Sequence, residues 1–125
     1  MKKEIVTSKA PAAVGAYSQA VRNGNMVFAS GQIPLNPATG EMAETAAEQA
    51  KQSMENIKAI LEEAGLTFAN VVKTTVLLTD MNDFAAVNEV YASYFEKPYP
   101  ARSCFAVRGI PKGCKLEIEV IAMAE

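Results

Sequence analysis

A chain of 125 residues, 50% hydrophobic and 21% charged, is long enough to bury a core and has the composition of one compact soluble domain spanning 1–125. Its formal net charge of -2 and pI near 5.2 argue against a general electrostatic grip on nucleic acid or on an anionic membrane. Histidine is absent, which removes Ser-His-Asp and Cys-His nucleophile arrangements, and two cysteines without histidine do not supply a zinc site.

The opening MKKEIVTSK lacks the apolar run of a signal peptide, and no segment approaches the roughly 18 apolar residues of a membrane span. The expected location is therefore cytoplasmic, with no membrane partner and with Cys104 and Cys114 as free thiols.

A short strand over 4–7 is the first candidate element, followed by a loop, APAAVGA, at 10–16. Two apolar stretches, 17–22 and 26–31, flank NGN at 23–25, where Asn23-Gly24 favours a tight hairpin because both residues tolerate positive φ. Pro34, Pro37 and Gly40 then make an irregular crossing. Thr45 and Glu48 have capping-box spacing, and Ala47, Ala50, Met54, Ile57, Leu61 and Ala64 recur every three or four residues. The spacing predicts an amphipathic helix over 46–64, closed by Gly65.

Branched residues in NVVKTTVLL predict a strand at 70–78. A second helix is expected to begin after Asp80 or Asn82 and to run to about Phe95, with Phe84, Val87, Tyr91 and Tyr94 on one face as packing residues. Strands at 102–107 and 115–123 complete the chain. The order is that of an α+β domain in which two helices cover one face of a five- or six-stranded sheet. The other face also carries apolar residues and needs a partner, for which a second copy of the chain is the simplest choice.

The chemistry concentrates in two places. Glu117 and Glu119 project from one face of the last strand, a spacing suited to acid/base work or to ion pairs with Arg102, Lys73 or Arg108. Arg102 follows a loop with two prolines and precedes the small residues Ser103 and Cys104; its donor fork suits a carboxylate ligand or an intersubunit salt bridge equally. Tyr17 offers a phenol at the rim of the first loop, Ser30 and Gly31 end a strand, Asn88 sits on the polar side of the second helix, and Cys104 reads as a small wall residue. Neither a G-x-x-x-x-G-K-[ST] loop nor G-x-G-x-x-G is present, and no basic aromatic pattern for RNA stands out.

The motifs A-P-A-A-V-G-A-Y-S-Q-A at 10–20, S-G-Q-I-P at 30–34, Q-S-M-E-N-I-K-A-I-L at 52–61, V-V-K-T-T-V at 71–76, P-A-R-S-C at 100–104 and K-L-E-I-E-V-I-A at 115–122 together resemble the RidA/YjgF family over residues 4–123. The resemblance implies a chorismate mutase-like (Bacillus type) fold, a mixed six-stranded sheet with two helices on one face, assembled as a homotrimer with clefts between subunits. It implies cofactor-free hydrolysis of 2-imino acids, chiefly 2-iminopropanoate and 2-iminobutanoate, to 2-keto acids and ammonia. Carried onto this sequence, Arg102 is the carboxylate clamp and Glu117 the group that activates water. Tyr17, Ser30, Gly31, Asn88 and Cys104 are substrate-binding cleft residues, and Glu119 has no catalytic assignment. The chain departs from the familiar pattern at Ala16, Ala106 and Arg108. The same resemblance leaves open a non-catalytic regulatory or binding protein, and a ribonuclease, which the acidic composition disfavours.

Overall fold

The computed structural model describes residues 1–125. Six strands form one mixed sheet: β1 (Lys3–Ile5), β2 (Ala20–Asn23), β3 (Met26–Gln32), β4 (Val71–Leu78), β5 (Ala101–Ala106) and β6 (Leu116–Met123). Their spatial order is β1-β2-β3-β6-β4-β5, with β4 and β5 parallel and every other neighbouring pair antiparallel. The two helices are α1 (Ala46–Glu63) and α2 (Phe84–Ala92).

Local chemistry explains most boundaries. The Thr45 hydroxyl accepts from the Glu48 backbone N–H and donates to the Glu48 carboxylate, fixing the start of α1. At the other end the Leu66 N–H reaches the Leu61 carbonyl and the Gly65 N–H reaches that of Glu62, while Gly65 takes φ 76°. This is a Schellman closure, and it needs the left-handed conformation that glycine adopts without strain. α2 is shorter than its apolar spacing predicts, ending at Ala92 rather than near Phe95, and a single 3₁₀ turn at Met81–Asp83, capped by Asp80, precedes it.

The first hairpin forms one residue further along than Asn23-Gly24 implies. Asn23 pairs with Met26, so Gly24 and Asn25 make the two-residue loop, and Gly24 at its first position carries φ 61°. Residues 17–19, expected as strand, instead belong to the preceding loop. The reason is the buried Gln19 side chain: its Oε1 accepts from the Thr7 N–H, and its Nε2 donates to the carbonyls of Thr7, Ala10 and Pro11. One amide thereby ties the whole entry loop to the sheet.

Burial alternates along β6 and along β4 from Thr74 onward. Thr74, Val76 and Leu78 of β4, and Leu116, Ile118, Val120 and Ala122 of β6, are buried under the helices with Met54, Ile57, Ile60 and Leu61 of α1. The opposite face is open. It carries Phe28 (42% exposed), Ile121, Lys73, Thr75, Ser103, Leu77 and Phe105 (50% exposed), together with Glu117 and Glu119. Buried amides anchor the 33–43 crossing to α1: Asn56 donates to the carbonyls of Ile33 and Leu35, and Gln49 to that of Ala43.

Candidate functional site

The seven candidate residues fall into two groups, one on each face of the sheet. Arg102 pairs in register with Thr74 and Cys104 with Val76, which puts both on the helix-covered face at the edge strand β5. The Arg102 Nη1 donates to Asn88 Oδ1 at 2.6 Å, and its guanidinium carbon lies 5.4 Å from the Phe84 ring centre and 5.0 Å from that of Tyr91. A cavity of about 400 Å³ opens beside it, walled by Asn88, Tyr91, Ala92, Tyr99 and Pro100. Burial raises the Cys104 thiol above its ordinary range, against the opposing pull of Arg102, so the thiol stays protonated at neutral pH.

The second group lies on the open face. Between Ala29 and Gln32 the β3–β6 register slips, so that Ser30 and Gly31 together oppose Glu119 in a bulge. The bulge brings the Gly31 backbone against Glu117: a Cβ at position 31 would overlap the Glu117 side chain, so a larger residue there would displace Glu117 from this position. Ser30 donates from Oγ to the Ser18 carbonyl, and its N–H reaches the Gln19 carbonyl, locking the entry loop to the bulge. Tyr17, half exposed, lines the same surface, and its hydroxyl accepts from the Val14 N–H. Partial burial raises the Glu117 carboxyl above the usual carboxylate range, and the negative charge of Glu119 two residues on raises it further.

This arrangement corrects one expectation. Arg102 cannot pair with Glu117 or Glu119 within a chain, because the sheet lies between them; its partner is the neutral Asn88. Lys73 is also bound elsewhere, donating to Ser103 Oγ at 2.9 Å. Asn88 thus meets Arg102, while Tyr17, Ser30, Gly31 and Glu117 gather on the other side. Two neighbours escaped the sequence reading: Phe84 and Tyr91, assigned to packing by their helical spacing, lie against the guanidinium. The signal was present, since 84, 88 and 91 share one helix face. No group of three or more cysteine, aspartate or glutamate side chains converges as metal ligands would, and no helix is long and apolar enough to cross a membrane.

The family model described as Endoribonuclease L-PSP matches residues 7–124. A protein of Escherichia coli K12 named 2-iminobutanoate/2-iminopropanoate deaminase is 52% identical over 126 residues, covering 98% of both chains. The chain belongs to the RidA/YjgF family. The crystal structure of the E. coli YjgF gene product superposes with a TM-score of 0.95 at 51% identity, covering 98% of this chain and 99% of that one. E. coli TdcF with bound serine gives the same TM-score at 50% identity, over 98% of this chain and 99% of TdcF. RidA/YjgF membership therefore extends through the sheet, both helices and the loops that carry the two groups of candidate residues.

Proposed function

We propose that the chain hydrolyses small 2-imino acids, 2-iminopropanoate and 2-iminobutanoate among them, to 2-keto acids and ammonia without a cofactor. The observation that carries this reading is the Arg102 guanidinium, held beside an open cavity by neutral side chains alone. A positive fork so placed is suited to a carboxylate, which accepts two parallel hydrogen bonds. The 52% identical E. coli deaminase bears the name of this activity, and serine, bound by TdcF, has a carboxylate beside a nitrogen-bearing carbon.

The reading takes the chain as one domain that assembles as a trimer of chorismate mutase-like subunits, each cleft joining the Arg102 group of one copy to the Glu117 group of the next. The open sheet face, with Phe28, Ile121 and Phe105 in contact with water, supports such an assembly. In the cleft, Arg102 holds the substrate carboxylate and Glu117 takes a proton from water as its oxygen bonds to the iminium carbon. The same carboxyl then protonates the carbinolamine nitrogen; the C–N bond breaks with its electron pair leaving on ammonia, and the hydroxyl gives its proton to the Glu117 carboxylate, now free again, as its oxygen becomes the keto oxygen, that proton finally leaving with the ammonia as ammonium. Orientation and fixed charge suffice because the iminium carbon is already electrophilic. Gly31 and Cys104 contribute main-chain groups, Tyr17 covers the substrate, and Asn88 and Ser30 complete the walls.

The deciding experiment follows the decay of freshly generated 2-iminobutanoate, with ammonia and 2-oxobutanoate both measured, for wild type and Arg102→Ala, checking oligomeric mass in each. Wild type should accelerate decay, and the variant should lose roughly a hundredfold in kcat/KM, the worth of a charge-assisted pair. A folded Arg102→Ala protein with full activity overturns the clamp; an inactive wild type overturns the reaction.

A further inference from the structure

Phe84, Asn88 and Tyr91 occupy positions i, i+4 and i+7 of α2, so their side chains rise from one helix face, and all three meet Arg102. Tyr91 is itself fixed from below. It is buried, and its hydroxyl shares a 2.8 Å hydrogen bond with Thr74 Oγ1, which is fully enclosed in the sheet. Thr74 is the register partner of Arg102 on the adjacent strand, so a closed loop of contacts runs from β5 through the guanidinium, α2 and β4 back to β5.

An arginine side chain has several freely rotating bonds, and one on an exposed edge strand would sample many orientations. Burying an aromatic hydroxyl merely to fill a core would require only a packing partner, and leucine or phenylalanine would serve without a polar group to satisfy. Here burial and the Thr74 contact hold the Tyr91 ring in place, and two rings and one amide flank the guanidinium.

We propose that Phe84 and Tyr91 are positioning residues: their rings hold the Arg102 guanidinium in the plane in which it receives the substrate carboxylate, before substrate arrives. The proposal deepens the deaminase reading and rests on it for the carboxylate, but the ordering of Arg102 is measurable without any substrate.

The test uses two pairs of variants in the intact protein: Phe84→Leu and Tyr91→Leu, which remove a ring at little cost in volume, and Phe84→Tyr and Tyr91→Phe, which keep it. The chain has three arginines, Arg22, Arg102 and Arg108, so the Nε–H signal of Arg102 is assignable in a ¹⁵N spectrum by its loss in Arg102→Lys. Wild type and the ring-keeping variants should give a dispersed, slowly exchanging signal, and the leucine variants one averaged toward the free-arginine position. In parallel, KM for 2-iminobutanoate and Kd for the product 2-oxobutanoate should rise roughly fivefold in each leucine variant, the worth of one cation–π contact, with kcat within about twofold of wild type. A general loss of structure would lower kcat as well and would be matched by the ring-keeping variants.

Leucine variants that retain a dispersed Arg102 signal overturn the proposal, as do ring-keeping variants as impaired as the leucine ones. If Tyr91→Leu fails to fold, Phe84→Leu, at a half-buried position, decides alone. A wild type that orders Arg102 but neither binds 2-oxobutanoate nor turns over the imine overturns the deaminase reading and the carboxylate role, and is distinguished from failure of the platform by the spectrum.

Discussion

Glu117 shows how surroundings tune a single carboxyl. Burial comes first and the charge of Glu119 second, and both push its proton affinity upward. A carboxylate whose proton affinity is raised is a better acceptor for a proton from water. Replacing Glu119 by Gln removes the second cause only, so the Glu117 carboxyl should ionise at lower pH. The acid limb of the kcat/KM profile for imine hydrolysis should then move to lower pH, with the plateau kept; an unmoved limb shows that Glu119 does not reach Glu117 in the assembled protein. Stability has the opposite sign. Between the unfolded and the raised folded value the native state binds more protons, so stability falls as pH rises through that window and the deficit persists above it. Glu117→Gln should therefore melt higher than wild type at pH 7 and converge with it in acid, while losing activity.

Elements position these residues, and the loop before β2 is the one most dependent on a single side chain. Gln19 is buried with four hydrogen bonds to the backbone of residues 7–11. Gln19→Leu keeps the volume and strips the Thr7 N–H and the carbonyls of Thr7, Ala10 and Pro11 of that partner. It should destabilise the protein by about 2 kcal/mol or more and, by releasing Tyr17 two residues upstream, raise KM; urea unfolding and imine kinetics on the same sample measure both. Gln19 was invisible beforehand because a glutamine in a loop has no periodic or steric signature. Elements whose causes are local were legible: α1 from its Thr45 cap, its apolar spacing and Gly65, and β4 and β6 from their branched, alternating residues. The hairpin was legible in kind but shifted by one residue, since strand pairing across β2 and β3 decides which two residues form its loop. The opposition of Arg102 and Glu117 was not drawn from the sequence at all. It depends on the registers of β4 with β5 and β6, and the placing of Gly31 on the bulge between Ala29 and Gln32, and such non-local pairings leave no mark in a short window of sequence.

At the scale of the whole molecule, the sheet separates the two groups: one face bears the Arg102 fork proposed to hold the substrate's carboxylate, the other the Glu117 carboxyl proposed to move a proton. A closed ring of identical subunits joined head to tail brings unlike surfaces together at every junction, so each cleft can draw one half from each neighbour. Mixing two inactive proteins tests that division directly. Arg102→Ala supplies an intact Glu117 half, and Glu117→Gln an intact Arg102 half. When the two are unfolded and refolded together at equal concentration, a cleft is whole where a Glu117→Gln copy lends its arginine to an Arg102→Ala neighbour that lends its glutamate. With random assembly this holds for about one cleft in four, so the mixture should regain roughly a quarter of the wild-type imine hydrolysis, whereas either variant refolded alone stays inactive. If each cleft were built from one copy, every cleft in every mixture would carry one lesion and no activity would return. Adding Phe105→Glu, which sets a charge on the open face, to both partners should lower the assembled mass and abolish the recovered activity together, because the proposed cleft needs that face to be covered.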